Sequence, residues 1–304
     1  MNFAATINQV ITLLLIMLVG FYARKKNYLN ENVTKKLSEL LLMVTNPLLV
    51  ISSFHLDFTP ELLRNIIMVF IFGIAAHTGA ILLSQVLFMK YKDSTKKIMK
   101  FSAIYANCGF MGFPILQSLF GSTGILLGSV YTATFNIFVW TNGVMIFRSE
   151  KKLDRAAVKN AFLNPGIISV VVGLVLFLFS IKLPYPLTQT IDLVGNMTIP
   201  LSMIIVGANI AAFDLKKLFA GFELYYITAI RLLILPIIAY IILKLLGFSG
   251  ILLSSCVLLV GMPIGTTTTI FAEMYNGDTA FASKVVAVST LVSIITLPIL
   301  MLLH

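Results

Sequence analysis

The sequence predicts an all-α membrane protein with ten transmembrane helices. Its 304 residues are 59% hydrophobic and only 11% charged, whereas a soluble domain carries roughly 25% charged residues. The apolar residues form blocks of roughly 20, the length of helix that crosses a bilayer. These blocks lack strand-like alternation, and lipid cannot satisfy exposed backbone groups, so a helical bundle is the expected fold.

Ten apolar blocks define the predicted spans, which we number in chain order. No soluble domain fits between them, because the longest polar connection runs only from about residue 148 to 160. The approximate limits of the spans are 5–23, 35–54, 62–89, 98–119, 124–147, 162–181, 190–212, 222–246, 250–273 and 280–303.

The positive charges indicate the orientation of these spans. With the N-terminus outside, 18 of the 22 Lys and Arg residues fall in loops on the inner side, and cytoplasmic loops of membrane proteins carry such an excess. We therefore expect a multi-pass protein of the cytoplasmic membrane with both termini outside. The net charge of +10 is assigned to membrane topology rather than to nucleic-acid binding.

Related motifs recur in the two halves of the chain. Spans two and seven carry Pro47 and Pro200, and spans four and nine carry Gly-Phe-Pro-Ile (112–115) and Gly-Met-Pro-Ile (261–264). Pro47 and Pro114 are 67 residues apart in the first half, and Pro200 and Pro263 are 63 residues apart in the second. Because each half has five spans, an odd number, equivalent helices must cross in opposite directions. The sequence thus predicts two inverted repeats, residues 1–160 and 161–304.

Spans four and nine form the expected binding site. Proline and glycine interrupt both, and paired broken spans mark the substrate site of many carriers with inverted repeats. Half-helix N-termini at such breaks present N–H groups and a partial positive charge, which suit a carboxylate. Asn107, seven residues before Pro114, can donate to a carboxylate without a buried charge. Its alternative role is a hydrogen bond that only joins helices.

Other polar residues within the spans leave two interpretations open. The Thr266–Thr269 run contacts substrate or satisfies local carbonyls, and Arg231 attracts an anion or is structural. His77 carries a proton or packs as a neutral side chain. No Asp or Glu occupies a clear mid-membrane position, which favours an anion over a metal cation. Cys108 and Cys256 lie in apolar segments, and we expect no metal site and no cofactor.

The whole chain resembles the auxin efflux carrier family in several motifs. NPLLVISSFHL from residue 46 resembles a PLLSFHF stretch of plant auxin exporters, and NCGFMGFP from residue 107 keeps the family's Asn-x4-Gly-x-Pro spacing. LNPG (163–166) resembles the Asn-Pro opening of the sixth span, and MPIGTTTTIFAEMYN from residue 262 resembles a PQG…FAKEYN segment. Ile264 replaces a family glutamine, and the large cytoplasmic loop is absent, so the resemblance is to compact bacterial-type members.

This resemblance implies an elevator-type carrier. Spans one, two, six and seven would form a scaffold through which a homodimer assembles, and spans three to five and eight to ten would form the moving transport domain. The breaks in spans four and nine would cross and hold the substrate carboxylate. The candidate substrate-binding residues are Asn46, Asn107, Gly109, Gly112, Pro114, Asn164, Pro263, Ile264, Gly265 and Thr266, with His77 and Arg231 as coupling candidates.

We therefore expect a secondary carrier that moves a small organic anion, malate- or malonate-like or auxin-like, across the membrane. No Gly-x4-Gly-Lys-[Ser/Thr] sequence is present to indicate ATP drive. The alternative is a membrane receptor that binds an organic anion without moving it. An enzyme is not expected, because neither paired acids nor a nucleophile–base arrangement can be named.

Overall fold

The computed structural model describes residues 3–148, 163–212 and 221–301. These residues form helices joined by short loops, and among them the only β-type pairing is an isolated bridge. The prediction of an all-helical protein is confirmed. The helices are α1 (Phe3–Lys25), α2 (Glu31–Ser53), α3 (Pro60–Leu87), α4 (Asp93–Ile104), α5 (Cys108–Phe147), α6 (Pro165–Leu178), α7 (Tyr185–Ala211), α8 (Phe222–Leu245), α9 (Gly250–Gly261), α10 (Thr267–Met274) and α11 (Thr279–Met301).

Several of these helices can cross a membrane. Over the described ranges, six are both long and apolar enough to do so, namely α2, α3, α5, α7, α8 and α11, while α6 and α9 are shorter apolar helices. Helix α5 is interrupted at Gly121, whose φ of 58° and ψ of −145° are non-helical. The chain is thus a multi-pass membrane protein, whereas the count of ten spans remains a prediction.

Parts of the topology prediction fall on residues outside the described ranges. They are the predicted repeat boundary between residues 160 and 161, and the inner-loop residues Lys151, Lys152, Arg155, Lys159, Lys216 and Lys217.

Prolines determine where the helices widen. A π-turn lies directly before Pro47 in α2 (Leu41–Thr45), before Pro114 in α5 (Cys108–Gly112) and before Pro236 in α8 (Ile230–Ile234). Proline has no N–H, and its ring clashes with the carbonyl one turn earlier. A π-turn relieves this clash by letting the preceding turn expand without ending the helix. Pro47 and Pro114 of the sequence motifs therefore follow irregular turns, whereas a further π-turn at Val139–Gly143 has no proline after it.

Contacts between residues divide the chain into two compact units. Unit 1 comprises Met1–Val69, Gly109–Ala133 and Leu163–Phe213, and unit 2 comprises Phe70–Cys108, Thr134–Phe162 and Asp214–His304. Predicted spans one, two, six and seven fall in unit 1 and spans eight to ten in unit 2, while spans three, four and five are divided between them. The assignment of spans to a scaffold and a transport domain remains a prediction.

Close contact between helices α1 and α7 organises unit 1. A Cβ on Gly20 would lie 2.1 Å from the carbonyl oxygen of Ile204, and one on Gly207 would lie 1.8 Å from that of Met17. Only glycine permits backbones to approach so closely, and such small-residue contacts are the usual means of packing helices in lipid. These two glycines therefore fix the separation of α1 and α7.

An aromatic cluster organises unit 2. The ring of Phe101 lies 4.5 Å from the ring of Tyr105 and 4.9 Å from that of Phe271, measured between centroids. The Tyr105 hydroxyl donates to the backbone carbonyl of Phe138 at 2.8 Å, which satisfies the polar end of a fully buried side chain. The cluster thus anchors the C-terminal end of helix α4 against α5 and α10.

Candidate functional site

Two helices end inside unit 2, and the segments that follow them pair with each other. After α4 and α9 the next residues, Tyr105 and Met262, have extended backbone with ψ angles of 103° and 147°. The two extended segments run antiparallel, with Ala106 paired to Ile264. Both breaks therefore meet at a single crossing point.

Two backbone hydrogen bonds hold the crossing together. The N–H of Asn107 donates to the carbonyl of Pro263 at 2.8 Å, and the N–H of Gly265 donates to the carbonyl of Tyr105 at 3.1 Å. A buried backbone group without a partner is costly, above all in lipid. By pairing with each other, the two breaks satisfy groups that neither helix could satisfy alone.

Helix α11 and a close approach at Gly265 complete the crossing. Ser289 of α11 accepts a hydrogen bond from the N–H of Ile264 at 3.1 Å. A Cβ on Gly265 would lie 2.9 Å from Thr267 Oγ1 and 3.1 Å from the carbonyl oxygen of Ala106. A larger residue at position 265 would therefore push the two segments apart.

The side chain of Asn107 is the main polar group at the crossing. Asn107 is only 5% exposed, and its backbone N–H is already used in the crossing. Among the described residues no hydrogen-bond partner is found for its side-chain amide. The Asn107 amide can donate its hydrogen bonds to a bound molecule.

Hydroxyl groups collect at the start of helix α10. The hydroxyls of Thr267 and Thr268 are buried, and neither has a hydrogen-bond partner among the described residues. Thr266 precedes the helix, and its carbonyl accepts from the N–H of Thr269 at 3.1 Å. The first N–H groups of a helix have no partner within it and carry a partial positive charge. The N–H groups of Thr268 and Thr269 already donate to the carbonyls of Gly265 and Thr266, so the donors that this end of α10 offers to an anion are the hydroxyls of Thr267 and Thr268.

Arg231 binds carbonyl groups at the C-terminal ends of the two broken helices, α4 and α9. It lies in the π-turn of α8 and is 2% exposed. Its Nε donates to the carbonyl of Met262 at 3.0 Å, and its Nη1 and Nη2 donate to the carbonyls of Ala103 and Val260 at 2.9 and 2.6 Å. These carbonyls lie at the C-terminal ends of α4 and α9, where the helix dipole is negative. Arg231 thus joins both helix ends and leaves a positive charge beside the crossing.

His77 is packed among aromatic rings. It is 2% exposed, its Nδ1 lies 2.7 Å from the carbonyl oxygen of Gly73, and its ring stacks on Phe138 at 5.2 Å between centroids. The ring also lies 6.3 Å from that of Tyr105. These contacts support the crossing from the side of α3 and α5.

The remaining predicted site residues fall in unit 1. The Asn164 side chain accepts from the N–H of Gly166 at 2.8 Å and caps helix α6. Asn46 is buried, and its side-chain oxygen has no partner among the described residues. The structure thus brings together Asn107 and residues 263–266 in unit 2, while contacts assign Asn46, Gly109, Gly112, Pro114 and Asn164 to unit 1.

Sequence analysis did not single out Tyr105 or Ser289. Both contribute to the crossing, Tyr105 through its carbonyl and ring, and Ser289 through its hydroxyl. A tyrosine beside a break and a serine in an apolar helix are common in membrane helices, so neither stands out without the pairing of distant segments. A search of the described ranges for three or more clustered His, Cys, Asp or Glu finds no candidate metal site.

The fold and the crossing define a multi-pass membrane protein with a polar, positively polarised centre in an apolar bundle. The family of membrane transport proteins matches the chain over residues 5–301. The chain therefore belongs to this family, the auxin efflux carrier family, which confirms the resemblance seen in its motifs.

Related proteins are also named as transporters. An uncharacterized transporter of Methanothermobacter thermautotrophicus is 25% identical over 98% of both chains. A Rhizobium meliloti protein named "Putative malonate transporter" is 25% identical over 69% of this chain and 68% of its own. An uncharacterized transporter of Escherichia coli is 20% identical over 96% of both chains. The family and these relatives are named as transporters, not as enzymes.

Proposed function

We propose that the protein is a secondary carrier that moves a small organic anion, a malonate- or malate-like carboxylate, across the cytoplasmic membrane. The observation that carries the proposal is the Asn107 amide, which lies at the crossing of the two broken helices and makes no hydrogen bond with the described residues. A carboxylate oxygen would accept its N–H groups.

The charge around the crossing supports an anion as the substrate. The buried Arg231 guanidinium contacts both helix ends, and the start of α10 presents the hydroxyls of Thr267 and Thr268. Glu273, the acidic residue that follows the second break most closely in sequence, is exposed. A cation would meet a positive charge and donor groups at the crossing, whereas a carboxylate would meet complementary ones.

The choice of a small dicarboxylate rests on two further observations. The Rhizobium meliloti relative is named for malonate. The amide of Asn107 and the hydroxyls of Thr267 and Thr268 all belong to unit 2, and a compact acid with two carboxylates offers acceptors at both ends for such donors.

The proposed transport mechanism is an elevator motion. In this proposal, spans three to five and eight to ten carry the anion, and spans one, two, six and seven form a fixed scaffold that also makes the homodimer contact within the bilayer. The ten spans form two inverted repeats, with both termini outside. The dense packing of α1 on α7 through Gly20 and Gly207 suits a rigid scaffold, because closely packed backbones resist deformation.

The test is uptake of radiolabelled malonate and malate by proteoliposomes. We expect Asn107→Ala to weaken apparent affinity by about 10- to 100-fold, because a hydrogen bond to a charged group contributes about 1.5–3 kcal/mol. Asn107→Asp places a negative charge at the same position and should reduce uptake at least as much. The matched control is Asn65→Ala, a half-buried asparagine of α3 that belongs to unit 1.

The same preparation separates the proposal from its alternatives. Wild-type flux together with unchanged uptake in both Asn107 variants would remove this residue from the site. An acid that stabilises the purified wild-type protein against heating, but shows no flux, would indicate a receptor rather than a carrier. Uptake of a cationic solute by the wild type, with no uptake of either acid, would contradict an anion substrate.

A further inference from the structure

A cluster of lysines surrounds the turn between helices α3 and α4. Residues 90–100 contain five lysines and one acidic residue, Asp93, which already pairs with Lys97 at 3.3 Å between Oδ2 and Nζ. The remaining four lysines, which we call the basic patch, all belong to unit 2 and are Lys90, Lys92, Lys96 and Lys100. None of these four makes an ion pair with a described residue. The patch therefore presents a concentrated positive charge to its surroundings.

Two lysines of the patch lie on the same face of α4. Lys96 and Lys100 are four residues apart in this helix, and side chains at this spacing are neighbours. The Lys100 ammonium reaches across to α3, where it donates to Gln85 Oε1 at 2.5 Å. No hydrogen-bond partner of the Lys96 ammonium is found among the described residues. Because like charges at this spacing repel each other, an anion placed between the two lysines would relieve an unfavourable interaction.

An apolar stripe at the end of α3 leads up to these lysines. Leu82 and Val86 are 65% and 66% exposed, and Met89, two residues after the end of the helix, is 63% exposed. Apolar side chains on the outside of a membrane helix contact the hydrocarbon chains of lipid. Gln85 is exposed on the same part of α3, and its hydrogen bond holds the Lys100 ammonium beside the stripe. A positive charge and a surface for an acyl chain therefore adjoin each other.

Aromatic residues indicate the level of the patch in the membrane. The ring of Tyr91 stacks on that of Tyr226 at 6.2 Å between centroids, and Tyr226 stacks on Phe222 at 6.0 Å. Phe222, the first residue of α8, is 73% exposed. Tyrosine is enriched where membrane helices meet the lipid head groups. The lysines on either side of Tyr91 in the chain therefore lie at the level of the lipid phosphates.

We propose that the basic patch and the apolar stripe together bind an anionic phospholipid, with its phosphate between Lys96 and Lys100 and an acyl chain along Leu82 and Val86. Clusters of lysines beside a membrane helix attract anionic head groups, and long lysine side chains reach the membrane surface while their stems contact apolar groups. A soluble anion has no acyl chain for the stripe, and a zwitterionic lipid brings a positive charge of its own. The site does not depend on the solute that the protein transports.

Fluorescence quenching by brominated lipids tests the site on the purified, reconstituted protein. Trp140 is the single tryptophan of the sequence, so Trp140→Phe combined with Met89→Trp places the fluorophore next to Lys90. We expect brominated phosphatidylglycerol to bind at this position at least about tenfold more tightly than brominated phosphatidylcholine, because each lysine near the membrane surface contributes about fivefold to the binding of an anionic lipid.

Substitutions in this reporter protein separate a defined site from general charge. Lys96→Gln should lower the preference for the anionic lipid about fivefold. The triple variant, which should lose the preference, carries Lys90→Gln, Lys96→Gln and Lys100→Gln. The matched control loses the same charge at three exposed lysines of unit 1, through Lys25→Gln, Lys26→Gln and Lys35→Gln. It should keep the preference within about twofold.

Three results overturn the proposal. Equal quenching by the two lipids shows that the surface does not select an anionic head group. An equal loss of preference in the patch and control variants shows that only the net charge of the protein matters. Displacement of the anionic lipid by inorganic phosphate, but not by sodium chloride of the same ionic strength, shows that the ligand is a soluble anion. Because the Lys96 ammonium has no hydrogen bond to lose, Lys96→Gln should fold normally and decides the question even where the triple variant unfolds.

Discussion

Replacement of Arg231 by methionine tests how the crossing is held together. Methionine has a similar length and fits apolar surroundings, but it cannot donate to the carbonyls of Ala103, Val260 and Met262, which lie 2.9, 2.6 and 3.0 Å from the guanidinium nitrogens. Each carbonyl left without a partner costs about 1–3 kcal/mol. Burial of the arginine is itself unfavourable, so we take the lower end and expect a net loss of about 3 kcal/mol.

This loss translates into a measurable change in thermal stability. For a chain of this size about 3 kcal/mol corresponds to a decrease of about 5 °C or more in the unfolding midpoint, which can be followed in detergent by static light scattering or by thiol labelling of the buried Cys108 and Cys256. Arg231→Lys keeps the charge, but its single ammonium nitrogen cannot reach three separated carbonyls as a planar guanidinium does. We expect it to lose about half as much stability.

The control is Arg64→Met, since Arg64 is exposed on α3. It should unfold within about 1 °C of the wild type, because exposed charges contribute little. If Arg231→Met unfolds at the same temperature as this control, the three hydrogen bonds do not hold the ends of α4 and α9 together, and the reasoning is wrong.

Two other predictions concern packing and motion. Gly207→Val should prevent stable folding or lower the unfolding temperature strongly, because its Cβ would lie 1.8 Å from the carbonyl oxygen of Met17. The control is Gly79→Ala, whose new Cβ meets no atom within 4 Å and which should fold normally. Equal thermal stability of the two variants would contradict the contact between α1 and α7. In a variant with both native cysteines replaced by serine, Thr266→Cys should react with a membrane-impermeant thiol reagent applied from either side of the membrane, with the balance shifted by substrate, and labelling from one side alone would contradict an elevator motion.

Much of the fold could be predicted from the sequence because membrane helices leave strong local signals. Blocks of apolar residues indicate helices that span lipid, and Pro47 and Pro114 disturb the helix turn before them by a local steric effect. The family could be recognised from short motifs around Asn107 and Pro263. Each of these signals comes from residues that lie close together in the sequence.

The remaining features depend on residues that are distant in sequence. The sequence left the role of Arg231 open between an anion attractor and a structural group, because its three acceptors are backbone carbonyls, which no residue type reveals. Nothing in the sequence indicates the hydrogen bond from Ser52 to Asp192, which lie 140 residues apart. These two residues line a cavity together with His55 and Gln117, which only the packing of α2, α5 and α7 reveals.

The pairing of Asn107 with Pro263 and of Gly265 with Tyr105 is made entirely by main-chain atoms. Apart from glycine where the segments approach closely, substitutions leave such bonds in place, so the two segments can keep their geometry while the side chains around them change. The same fold can thereby change its substrate preference through few mutations, while the crossing keeps its geometry.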